Sequence, residues 1–263
     1  MSFSSQFPAP WLKCKEIFSI ISILKYNKPL SIPAIRRNIV FMDQSLAQSS
    51  GKKHIRIDVS SDTVCPWCFV GKQNLNKAMD STKDLYNFEV RWHPFLLEPN
   101  APKEGIKVMD FYENKFGAEP WKQMRSRMSK VFQDLGFEYN TSGLTGSTLD
   151  SHRLIEFAGH QGVNKQNALV QELLLNYFCQ GKYIGNRQVL LEAANKVGVE
   201  GARELLDDPN KCLEEVNEGL NKYSAAISGV PNFLINGKYR LNGGQPPQVF
   251  LRAFQAAAKE NTL

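Results

Sequence analysis

The stretch "SSDTVCPWCFVGKQNL", residues 60–75, decides how the chain is read. Cys65 and Cys68 stand two residues apart, with Pro66 and Trp67 between them. Just upstream, "HIRIDVSS" (54–61) alternates, with Ile55, Ile57 and Val59 on one side, which is the period of a strand. Just downstream, a helix is expected from Pro66, with Cys68, Leu75 and Ala78/Met79 on one face. A proline is tolerated at the first helical position because an N–H there would be unpaired anyway. The cysteine pair therefore sits where a strand hands over to a helix.

Three roles are open to such a pair. A structural zinc site needs four ligands, commonly a second pair or two histidines at close spacing. No second C-x-x-C exists, and His152 and His160 lie eight residues apart on a helix-like stretch, so no metal is expected. A structural disulfide would close a very short loop, which constrains the unfolded chain little. The redox role accounts for more. At a helix N-terminus, free N–H groups and the positive end of the helix dipole stabilise a thiolate at Cys65. Cys68, one turn further in and on the apolar face, is expected to be the shielded sulfur. Thiol–disulfide exchange needs this asymmetry: one sulfur attacks and a second resolves the mixed disulfide. Trp67 reads equally as a substrate contact or a packed ring.

Composition narrows the rest. The chain has 263 residues and a net charge of +6, but residues 1–41 hold six Lys/Arg against one acid, so only about +1 remains elsewhere. The basic balance is thus a property of the leader and gives no reason to expect a nucleic-acid partner. No apolar run is long enough to cross a bilayer, so no membrane association is expected. The leader is rich in Ser and poor in acids, resembling an organelle transit peptide more than a secretory signal. Met42 as an alternative start is the other reading. The expected location is cytoplasmic, or chloroplast or mitochondrial if residues 1–41 act in targeting. Five cysteines in a chain of this length, one of them (Cys14) in the leader, do not make a disulfide framework. Cys179 and Cys212 read as small core residues.

Further along, "FEVRWHPF" (88–95) reads as a second strand with Phe88, Val90 and Trp92 on one face, and His93 as a solvent-facing edge residue. From about 107 to 227 no convincing strand appears. Helical spacing there includes Val170, Leu173, Leu174, Tyr177 and Phe178, then Val189, Leu190, Ala193 and Val197, then Leu213, Val216, Leu220 and Tyr223. The aromatic series Trp121, Phe132 and Phe137 reads as packing. "PNFLINGKYRLNGG" is a hairpin turning at Asn236-Gly237, and "PPQVFLRAFQAAAKE" is a final helix.

With "DTVCPWCFVGKQNL", "VRWHPFLLEPN", "SHRL", "SGVPNFLINGK" and "GGQPPQVF", the chain resembles the DsbA family, and most of all its FrnE-like branch. The resemblance implies an α/β thioredoxin fold with a large all-helical domain inserted between the second and third strands. It implies Cys65 as nucleophile and Cys68 as resolving thiol, with Pro66, Trp67, Val230 and Pro231 beside the substrate. Pro231 would follow a cis bond, and Val230 would offer backbone hydrogen bonds to a bound peptide. One departure stands out. The family carries a buried acid six residues before the first cysteine, where this chain has Val59; Asp58 and Asp62 are near but out of register.

The expected domain map is a leader over 1–50, a DsbA-like thioredoxin domain over 51–256, a helical insertion over 104–227 and a tail over 257–263. The expected function is thiol–disulfide oxidoreductase, acting on protein or small thiol and disulfide substrates. No cofactor is expected, glutathione stays open as a redox partner, and the oligomeric state is undetermined. Two other readings are kept. One is a glutathione-dependent transferase or isomerase of the kappa-class or 2-hydroxychromene-2-carboxylate isomerase type, whose members resemble this insert but carry Ser at the first motif position. The other is a redox-sensing, chaperone-like binding protein.

Overall fold

Strand β1 (Lys53–Ser61) is the spine of the computed structural model, which describes residues 51–260. The expected leader, residues 1–50, lies outside the described residues. Helix α1 (Pro66–Asp80) crosses over and returns the chain as β2 (Tyr86–Pro94), parallel to β1 from Lys53↔Tyr86 to Ser61↔Pro94. A parallel neighbour needs such a crossover, because a tight turn would make the pair antiparallel. Much later the chain adds β5 (Asn232–Ile235), antiparallel to β1, and β6 (Tyr239–Asn242), giving the order β2-β1-β5-β6. Helix α9 (Pro247–Glu260) closes the described chain.

The alternation read in β1 is real: Ile55, Ile57 and Val59 are fully buried. Phe233 and Ile235 of β5 join them, and α9 adds Phe250 and Phe254, with Phe233 edge-on to Phe250 at 4.9 Å. The hairpin turns where expected. Asn236 and Gly237 both take positive φ (48° and 69°), and the Asn236 side chain accepts from the Arg56 amide at 2.9 Å, tying the turn to β1. Helix α9 runs on to Glu260 with Ala257 and Ala258 buried, so the domain extends past the boundary expected at 256.

Between β2 and β5 lie seven helices among the described residues: α2 (Val108–Phe116), α3 (Ala118–Asp134), α4 (Leu149–His160), α5 (Val163–Phe178), α6 (Arg187–Lys196), α7 (Ala202–Asp207) and α8 (Leu213–Gly219). The insertion is not all-helical. Strands β3 (Ile106–Lys107) and β4 (Leu144–Thr145) pair antiparallel, each too short for alternation to show in sequence. The stripe Leu213, Val216, Leu220 and Tyr223 stays on the covered side, although α8 passes into a π-helical turn, Leu220–Ser224. Helix α5 is the insertion's core, with Leu169, Val170, Leu173, Leu174, Tyr177 and Phe178 buried. The joint with the thioredoxin part is aromatic. Phe69 of α1 stacks on Phe132 at 4.5 Å and meets Phe137 and Phe178 edge-on. Trp121 stacks on Tyr112 at 4.5 Å, so the aromatic series is packing.

One glycine governs how closely α1 approaches the sheet. A Cβ at Gly71 would stand 2.9 Å from the Phe233 ring and 3.0 Å from Cγ of Pro231. In an open helix, Gly→Ala gains about 1 kcal/mol. Here the overpacking cost, about 1–3 kcal/mol, exceeds that gain. Gly71→Ala is therefore expected to lower stability in urea denaturation; a stabilised variant would show that the loop at Pro231 yields freely.

Candidate active site

The turn after β1 is drawn into the helix by main-chain bonds. The Cys65 amide donates to the Asp62 carbonyl at 3.1 Å, and the Cys65 carbonyl accepts from Cys68 and Phe69 at 3.0 and 3.3 Å. Cys65 is the N-cap, in extended conformation, with Pro66 opening α1 behind it. No side chain caps this end, so the helix N-terminus is left facing the Cys65 sulfur. Both cysteines are free thiols.

The two sulfurs are unequal, though less so than expected. Cys65 is itself only 5% exposed, while Cys68 is fully buried. The Cys65 thiol donates to the Val230 carbonyl at 3.5 Å. Burial pushes the Cys68 thiol well above its ordinary pKa, and the neighbouring Cys65 adds to this; the Ser61 hydroxyl and the Asp62 amide, which face Cys68, oppose it.

The segment facing the thiols comes from the far end of the chain. Val230–Pro231 is a cis peptide, held in place where the Pro231 carbonyl accepts from the Gly243 amide at 2.8 Å. Pro231 is buried and Val230 half-buried. Pro66 is half-buried and Trp67 is 42% exposed, lying over Gly244, where a Cβ would come 3.0 Å from the indole. The structure thus brings Cys65, Cys68, Pro66, Trp67, Val230 and Pro231 into one neighbourhood, and Trp67 presents an open face there.

Val59 is a core residue, opposite Trp92 and Phe233 in the sheet, and no acid stands at its position. Asp58, on the other face of β1, is committed elsewhere. It accepts from Arg56 at 2.8 and 3.0 Å and pairs with His93 at 2.8 Å. Burial alone would raise its pKa, but the hydrogen bonds of His93 and Arg56 outweigh that and bring it down to about 2. His93 is not the solvent-facing edge residue expected from sequence. It is largely covered and stacks on Tyr223 of the π-helical turn, centroids 3.4 Å apart.

Asp62 is fully buried in the thiol turn itself. Its Oδ2 accepts from the Leu97 amide at 2.8 Å, and its Oδ1 lies 3.4 Å from Nε2 of His152 on α4. The "SHRL" segment is the clamp that brings this about. Ser151 bonds Thr63 at 2.9 Å, and Arg153, fully buried, donates to the carbonyls of Lys211 and Leu205 at 2.8 and 3.0 Å. A cavity of about 170 Å³ opens beside the turn, walled in part by Asp62, Val64, Phe111, Tyr112, Phe116 and Thr145.

Lys72 is a further buried polar residue of α1. It lies on α1 one turn beyond Cys68, is 1% exposed, donates to Asn167 at 2.7 Å and sits 4.9 Å from the Trp92 ring centroid. Burial lowers its pKa to about 7. A lysine in a helix gives no sequence sign of burial; only the packing of α5 and β2 over α1 reveals it.

Among the described residues no three His, Cys, Asp or Glu side chains converge to hold a metal ion. Among the same residues no helix is long and apolar enough to cross a membrane.

Over this region the chain is similar to known proteins. A family model for the DSBA-like thioredoxin domain matches residues 56–255. The chain is 27% identical over 211 residues to the uncharacterized protein YwbO of Bacillus subtilis, covering 78% of this chain and 98% of that one. It is similar in structure to a probable DsbA oxidoreductase of Streptomyces coelicolor, with a TM-score of 0.69 and 28% identity over 78% of this chain and 90% of the other. A 2-hydroxychromene-2-carboxylate isomerase shares the fold, with a TM-score of 0.56, at 14% identity over 79% of this chain and 98% of that one.

Proposed function

The chain belongs to the DSBA-like thioredoxin domain family, and from that premise we propose that it is a thiol–disulfide oxidoreductase whose working centre is Cys65-Pro66-Trp67-Cys68, on the FrnE-like branch of the family. The observation that carries the reading is the placing of two free, unequal thiols at the N-terminus of α1, with the Val230 carbonyl against the first. The Cys65 thiolate attacks a substrate disulfide, forming a mixed disulfide and expelling one substrate thiolate. Cys68, deprotonated, then attacks the Cys65 sulfur and expels the second. The substrate gains two electrons and two protons, and the pair becomes a disulfide; the reverse sequence oxidises a substrate dithiol. Val230 and Pro231 line the entry, and the exposed Trp67 is the contact for a protein or small disulfide substrate.

Insulin reduction and refolding of scrambled ribonuclease, run beside glutathione conjugation of an electrophile, test this. Turnover in either of the first two, lost on Cys65→Ser, is the expected result. Conjugation alone would move the protein to the transferase reading.

A further inference from the structure

Two buried polar atoms face each other where the thiol turn meets α4, and neither has a hydrogen-bond partner: Oδ1 of Asp62 and Nε2 of His152, 3.4 Å apart. Both side chains are all but completely buried. A carboxylate oxygen and an unprotonated ring nitrogen are both acceptors. Left so, each loses the hydrogen bond that a buried polar atom ordinarily makes. One proton placed between them turns the contact into a charge-assisted N–H···O bond. The hydrogen bonding of neither atom is satisfied as the pair stands, and the pair is built onto the residue whose amide faces Cys68 and whose carbonyl holds the Cys65 amide.

The chemistry of the centre calls for such a group. Cys68 attacks only as a thiolate, yet its thiol is fully buried and held protonated by that burial. Resting on the oxidoreductase reading above, we propose that the Asp62–His152 pair is the proton store of the redox centre. In the resolving step the Cys68 S–H bond breaks, its sulfur forms a bond to Cys65, and the Cys65–substrate S–S bond breaks with the electron pair leaving on the substrate thiolate. The proton released is taken up at Nε2 of His152, facing the Asp62 carboxylate. It passes on to solvent by way of the cavity that Asp62 walls, and the pair returns a proton to Cys68 when the disulfide is reduced. Asp62 orients the imidazole and His152 takes the proton; neither side chain forms a bond to sulfur. Other titratable groups around the pair are the two thiols, Tyr112 from α2, Tyr177 from α5 and the Glu98–Lys115 ion pair on the same cavity. Burial raises both tyrosines, so they stay neutral through the working range.

The test is stopped-flow reaction of the reduced full chain with one equivalent of Ellman's reagent, in a background carrying Cys14→Ser, Cys179→Ser and Cys212→Ser. The first thiolate released reports attack by the first cysteine, and the second reports resolution by the other. Asp62→Asn and His152→Gln are each expected to slow the second phase at pH 7 by roughly 100-fold, the lower end of proton-transfer effects. The first phase should stay within about 3-fold, well below such effects. The deficit should close as pH rises toward 10, where hydroxide can remove the proton. A second phase that is unchanged, or slowed equally at every pH, overturns the proposal, because a purely structural pair would act that way. Should Asp62→Asn fail to fold, His152→Gln carries the same prediction alone. If the parent protein shows no second phase at all, the oxidoreductase reading itself falls, and the inference with it.

Discussion

Cys65→Ser is expected to reduce disulfide turnover by at least about 10³-fold, the scale of losing an activated nucleophile, while Cys68→Ala leaves the first attack intact and traps the protein as a mixed disulfide. The difference follows from place. The Cys65 sulfur stands before the first turn of α1, at a helix end that no side chain caps. Cys68 is inside that turn, fully buried, with its pKa pushed well up. With Cys68 replaced, no second sulfur is present to release the bound substrate thiol. Mass spectrometry of the variant after exposure to a disulfide peptide should show one adduct at Cys65. Alkylation of the reduced protein at neutral pH should likewise label Cys65 before Cys68. Labelling in the opposite order would mean that the resolving and attacking roles are exchanged, and the argument from the helix terminus would fail.

Lys72→Met is expected to stabilise the protein at neutral pH and to remove a pH dependence that the parent shows. The folded state holds Lys72 at a pKa of about 7 because burial disfavours its charge, against an ordinary value of 10.5. Between those values the unfolded chain binds the extra proton and the folded chain does not. Stability therefore rises with pH across that window, and the full cost of the charge is felt below pH 7. At about 1.4 kcal/mol per pH unit, the parent should gain about 2 kcal/mol from pH 7 to pH 9 through this residue. Methionine fits the same channel, keeps a favourable contact with the Trp92 ring and has no proton to bind. Asn167 is not orphaned by the change, since the Trp92 indole still donates to its Oδ1 at 3.0 Å. The raised thiols and tyrosines titrate in the opposite sense at alkaline pH. The quantity to measure is accordingly the difference between variant and parent in urea denaturation at pH 7 and pH 9, in which those groups cancel. A constant difference across the two pH values would show that Lys72 does not carry the dependence.

Much of the site could be read from local pattern. The alternation of Ile55, Ile57 and Val59, the proline at the start of α1 and the Asn236-Gly237 turn are short-range signals. In the structure they form the strand, helix and hairpin they announce. Each rests on the backbone of a few neighbouring residues, where the period of the side chains decides which face is buried. The resemblance carried Pro231 as well, and its cis bond stands beside Cys65. By contrast, β3 and β4 were invisible, because two residues cannot display a period.

By itself, then, the sequence determined that a strand delivers Cys65 to the N-terminus of a helix and that Cys68 lies on that helix's apolar face. Only the tertiary structure decided which polar groups those thiols live among. His93 reads as an edge histidine until Asp58 and Tyr223 close on it. Nothing in the sequence marks Lys72 as buried; Asn167 and Trp92 enclose it. Asp62 and His152 read as unrelated until α4 sets the imidazole against the carboxylate. The reason is physical. Apolar burial is non-directional and is written in periodicity along one element. The state of a buried charge depends instead on which groups the fold brings within a few ångströms of it, and those come from elements far apart in the chain.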